Sequence, residues 1–221
     1  MQRYDWSIPQ REAEYLSTAA RDLPVLALAD DVTRLLAQTI QQVTIDAHQD
    51  ARDAANVRRH ALWYMAIIAL RAMRAAMHAI SIGYEDQSLG YQRLIDELLG
   101  RARKVYADTS GSYAQEWLAG RNREKGARLA GQDIWELMSV PVHANSRAVS
   151  DWLAVSQDDG SVKVILGPER RPQVANPALT LMCTEGRDLA SILALEAGVS
   201  LDLGSLDHRI TEAGAVYLLH T

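Results

Sequence analysis

The sequence predicts a mainly α-helical protein: a helical bundle around a central helix at about 57–82, with one small β-hairpin at about 152–166. Residues 61–81 are almost continuously apolar and rich in Ala, Leu, Met and Ile, which are fair to good helix formers. On a wheel of 100° per residue with Val57 at zero, the strongly polar side chains Arg71, Arg74, His78 and Ser81 fall within roughly 240° to 320°. The other sectors are hydrophobic, and a helix apolar nearly all round is touched by neighbours on several sides. Ile67, Ile68 and Leu70 are therefore expected in the core. The third observation is a change of period at Asp158-Asp159-Gly160, where an Asp-Gly turn signal separates two apolar runs.

Each element has its own signal. Ser7 can cap a first helix, Pro9 suits an early helical position, and Pro24 ends the segment near Asp22. A second helix carries Val25, Leu28, Val32, Leu35, Leu36, Thr39, Ile40 and Val43 on one stripe. Residues 48–53 are polar and read either as a turn or as a continuing exposed helix. The central helix ends at Gly83, a residue suited to a C-terminus. Glu85, Asp86 and Ser88 then open a helix bearing Leu94, Ile95, Leu98, Leu99, Ala102 and Val105.

Residues 108–112 read as a loop, followed by a short helix at about 113–119 and a longer one at about 123–139. Pro141 ends or kinks the latter because it removes a helix donor and clashes with the preceding turn. Asn145 or Ser146 restarts a helix through Trp152. After the hairpin, residues 167–177 hold three of the six prolines and read as a loop. A long helix is expected over about 176–197. The tail from 199 is ambiguous: 206–219 reads as a helix that Gly214 weakens, and 215–219 reads equally as a strand. The expectation is one helical domain over 1–221, with a hairpin and loop insertion at about 152–177.

Composition bounds the function. A chain of 221 residues with 48% hydrophobic and 23% charged residues is long enough to bury a sizeable core. Its single cysteine, Cys183, excludes an internal disulfide framework and fits a reducing compartment, so a cytoplasmic location is expected. The first residues lack the apolar core of a signal peptide. The charge-free run 61–70 is too short to span a bilayer, so no membrane partner is expected. Phe is absent altogether.

No Gly-rich phosphate loop, HExxH, paired cysteines or GxSxG elbow occurs. The six histidines lack ligand spacing, so neither a metal nor a cofactor is expected. Two places stand out. The first is the strip Arg71, Arg74, His78. It reads as a solvated helix edge, or as a cationic groove for phosphate or carboxylate with His78 as a proton-transfer group. The second is Ser139, His143 and Arg147, at spacings of four around Pro141. A Ser–His pair suggests a nucleophile and base, yet no orienting acid or oxyanion site is recognisable. The competing reading has Ser139 and His143 pairing backbone groups that Pro141 releases.

In its order of elements the chain resembles the HEPN-like helical proteins of bacteria. The features that carry the resemblance are the long central helix with Arg and His on one edge, Met138-Ser139 followed by His143, the segment 152–177, and the last long helix at 176–197. It covers roughly 24–198. The resemblance implies a binding or antitoxin-type module, or a metal-independent ribonuclease using an Arg, a short spacer and a His, here Arg71 and His78. Ala72 stands where that motif carries a polar residue, and the pair sits in an early helix; both departures suit the binding module.

The net charge of −5 opposes general affinity for nucleic acid, although a folded RNA site in a dimer stays open. The leading expectation is a dimeric binding or interaction module whose partner is a protein or a second copy. The alternatives are the ribonuclease and a small-ligand domain with a pocket between the central helix and residues 135–152.

Overall fold

The computed structural model describes residues 8–45, 53–121, 153–155, 162–164, 168 and 170–218. Among these the protein is mainly helical. The helices are α1 (Ile8–Asp22), α2 (Val25–Gln42), α3 (Ala54–Ser81), α4 (Glu85–Ala107), α5 (Ser112–Leu118), α6 (Pro172–Ala197) and α7 (Gly204–Tyr217).

The longest of them, α3, starts where Asp53 accepts a hydrogen bond from the Ala55 N–H at 3.0 Å. Asp53 thus fills one of the donors that a helix start leaves open. Helix α3 begins at Ala54, three residues before the position read from the sequence. Its buried face is dominated by small side chains, Ala61, Ala66, Ala69, Ala72, Ala76 and Ala79, with Leu62, Met65, Met73 and Ile80 between them. Alanines let neighbouring backbones approach closely, and the larger residues fill the remaining space.

Helices α2, α4 and α6 run beside α3 in the opposite direction. The Trp63 indole donates to the Ile40 carbonyl, fixing the end of α2 beside the early part of α3. Arg58 reaches Glu196 at the far end of α6. The turn at 82–84 folds α4 back along α3. Because α6 also packs on both α2 and α4, these three helices occupy three sides of α3. Helix α7 then packs on α6 and α2.

Helices α5 and α1 also touch α3, but among the described residues the side of α3 that carries Ile68 is open, and this corrects the core assignment made from the sequence. Ile68 is 37% exposed, and Ile67 and Leu70 are half-buried. On the same wheel Ile68 stands at about 20°, only about 60° beyond Arg71, so it belongs to the margin of the polar strip. Ser81 departs in the other direction. It is buried, and its hydroxyl donates to the Met77 carbonyl at 2.7 Å. Leu94, expected on the buried stripe of α4, is 36% exposed.

The proline-rich segment read as a loop over 167–177 is partly helical. Pro172 occupies the first turn of α6 and Pro177 lies inside the helix. The bond that Pro177 forfeits is the one to the Gln173 carbonyl, in the opening turn and on an exposed residue, where water can satisfy it. In the tail the helical alternative is the observed one, and residues 215–217 belong to α7 rather than to a strand. Leu153–Val155 and Val162–Val164 lie side by side as a three-residue antiparallel ladder. The Asp158–Gly160 turn expected between them lies outside the described residues, as does the helix expected at about 123–139.

Arginines pin the bundle at both ends. Arg170, its side chain 7% exposed, donates to the carbonyls of Tyr15 (2.7 Å) and Ser81 (2.8 Å) and pairs with Asp22 at 3.3 Å. Its guanidinium lies 4.9 Å from the Tyr15 ring centre. At the other end Arg58 donates twice to Glu196 Oε1, at 3.1 and 2.9 Å, and once to the Thr109 carbonyl at 2.8 Å.

Candidate functional site

The open side of α3 is where the sequence-predicted strip lies. Arg71, Arg74 and His78 are all exposed on it. Arg71 and His78 are seven residues apart, so about 10.5 Å of helix rise separates them. Among the described residues neither Arg71 nor Arg74 makes an ion pair. Most other described arginines are committed: Arg34 to Asp30, Arg58 to Glu196, Arg103 to Asp188 and Arg209 to Asp31. Two guanidiniums with no carboxylate partner among the described residues suit a carboxylate supplied from outside.

Toward the N-terminus the same side of α3 becomes apolar and aromatic. Tyr64 is 44% exposed and stacks on His60 with ring centres 5.0 Å apart, while Trp63 meets it edge-on at 5.4 Å. With the Trp63 indole held by Ile40, this trio is fixed in place. The strip from Tyr64 to His78 is about 21 Å long, apolar in its first half and cationic in its second. The sequence reading found the cationic half and missed the other. The signal was present, because His60 and Tyr64 are four apart and place two rings on one side of a helix.

At the cationic end an open cavity of about 330 Å³ lies between α1, α2 and α3, lined by Ala20, Leu26, Ala27, Asp30, Met77, His78 and Ser81. Asp30 is engaged by Arg34 at 2.6 Å. No group of three or more His, Cys, Asp or Glu side chains that could hold a metal occurs among the described residues. No helix among them is long and apolar enough to cross a membrane. The other site residues read from the sequence, Ser139, His143 and Arg147, lie outside the described residues. So does the whole far wall, residues 135–152, of the expected ligand pocket.

A second group of polar side chains, not found from the sequence, is buried between α4 and α6. Glu85, Ser88, Gln92 and Asp96 recur at spacings of three and four along α4, and Asn176, Thr180 and Glu185 lie buried on α6. Burial pushes the Glu85 carboxyl up, opposed by the Arg171 N–H that it accepts at 3.0 Å and by the charges of Arg171 and Arg170. Glu185 is pushed well above the usual carboxylate range, first by burial and then by Asp96, while the Gln92 amide donates to it and acts the other way. Cys183, two residues before, is buried, and its thiol is raised to about 12 by desolvation. It is therefore no reactive nucleophile at neutral pH.

No family model, curated protein or solved structure matches the chain.

Proposed function

We propose that this chain is a HEPN-like interaction module, a single helical domain with α3 as its central helix, that pairs with a second copy of itself through the open side of α3. The observation that carries this reading is the two-part strip on that side. Tyr64 and Ile68 present apolar surface beside two arginines that have no ion-pair partner among the described residues. Apolar and aromatic residues with arginine are the composition enriched at protein interfaces. The −5 net charge makes a second copy an acidic partner for the cationic half, and a two-fold axis through the strip would use each apolar patch twice.

Light scattering on size-separated protein tests the proposal. The parent should run as a dimer. Ile68→Glu should run as a monomer with an unchanged helical circular dichroism spectrum, because a charge placed in an apolar contact stays unpaired. A parent that stays monomeric at tens of micromolar would remove self-association. The ribonuclease reading has its own outcome: RNA cleavage that persists in chelator and disappears in His78→Ala with folding intact would move the assignment there. The expected result is no such cleavage, since among the described residues neither arginine nor His78 has an acid–base partner bonded to it.

A further inference from the structure

Helix α1 is fastened to the bundle by polar pins more than by a buried apolar face. Of its 15 residues only Ala19 is buried, and Leu16 is 54% exposed. Among the described residues it packs on α2 and α3 far more sparsely than α6 does. Two side chains from outside the helix hold it in place. Arg170, just ahead of α6, donates to the Tyr15 carbonyl at 2.7 Å, lies over the Tyr15 ring and pairs with Asp22 at 3.3 Å. A further bond, to the Ser81 carbonyl at 2.8 Å, ties the same guanidinium to the end of α3. Tyr84, in the turn after α3, donates its hydroxyl to Glu12 Oε1 at 2.7 Å. Where α1 meets α2, Leu23 is fully buried and Pro24 has no N–H to carry one helix into the next.

A helix of this length is marginal in water without tertiary support, and segments that bury little apolar surface open ahead of the global transition. Hinges sit at a few element-terminal residues that absorb the backbone change. We propose that α1 is a latched arm, which swings out about Leu23 and Pro24 while the rest of the bundle stays folded. The bonds from Arg170 and Tyr84 set how often it opens. Ala20 of α1 forms one wall of the open cavity, against Leu26 of α2 and Met77 of α3. Release of the arm therefore bares the half-buried Leu26 and Met77 beside His78. The exposed surface of α3 then extends past the cationic end of its strip, so the latch governs how much of α3 is offered to a partner. The arm operates whether or not the chain pairs through that strip.

Hydrogen exchange of the full chain at pH 7, read by mass spectrometry of its peptides, is the test. Protection in α1 should lie at least about a hundredfold below that in the middle of α3. Arg170→Ala should lower protection in α1 by about a further tenfold, the scale of lost hydrogen bonds to a charged group, and protection in the middle of α3 by a much smaller factor. Tyr84→Phe removes only the bond to Glu12 and should lower protection in α1 by about threefold, with α3 unchanged. Equal protection in α1 and α3 of the parent would overturn the proposal, as would losses in the variants that run equally through all helices. If Arg170→Ala does not fold, Tyr84→Phe decides: a loss confined to α1 supports the latch, and no loss there refutes it.

Discussion

Gly83 shows how much a single residue settles in this bundle. Its φ is +87°, in the left-handed region that side chains rarely adopt, and a Cβ there would lie 2.6 Å from Tyr15 Cδ2 and 2.9 Å from Pro168 Cβ. The ring that it clears is the one Arg170 stacks on, so the turn after α3 and the anchoring of α1 depend on the same missing methyl group. Gly83→Ala should therefore lower stability by about 1–3 kcal/mol in urea unfolding at neutral pH. A change within about 0.5 kcal/mol would mean that the turn relaxes freely. The sequence supplied Gly83 as a helix end through its residue type alone. Nothing in it indicated the approach of Tyr15 and Pro168, because that contact joins segments far apart in the chain. Gln92 and Glu185 escaped notice for the same reason: each reads as an ordinary surface polar residue until the fold joins them.

At the level of the helix, α3 separates two residues that hydropathy treats alike. Met65 is fully buried, whereas Ile68 is 37% exposed. Met65→Ala should cost about 2–5 kcal/mol through lost transfer energy and a cavity, and Ile68→Ala less than about 1 kcal/mol in the isolated chain, as at other surface positions. Chemical unfolding of the two variants side by side would check this, and equal costs would show that the open side is covered. The helices themselves were legible because periodic apolar residues and the punctuation of Pro24, Gly83 and Glu85 are local signals. The open side was only half legible. Arginine and histidine announce exposure, but an exposed isoleucine looks like a core one. Pro177 misled in the opposite sense, since a proline in an opening turn costs far less than one in mid-helix.

Across the whole molecule, the Arg58–Glu196 pair joins the start of α3 to the end of α6, with side chains only 15% and 6% exposed. Removing one partner leaves the other as an uncompensated buried charge. Glu196→Ala is therefore expected to cost about 3–5 kcal/mol. Removing the exposed Arg34–Asp30 pair by Arg34→Ala should change little, about 0–1 kcal/mol. Thermal or urea unfolding of both variants distinguishes the two kinds of pair, and similar small effects would show that the bundle end is held by packing alone.

The polar row between α4 and α6 has one more consequence, for the choice among competing alignments. Two apolar helix faces can slide past each other by a turn, about 5.4 Å, and still bury comparable surface. Here such a slide would draw Gln92 away from Glu185 and leave buried carboxyls facing hydrocarbon from residues such as Met182 and Leu189. Each stranded charge or donor would cost more than the packing could return. Helices α4 and α6 can thus be keyed to one another: only one alignment leaves their buried acids partnered.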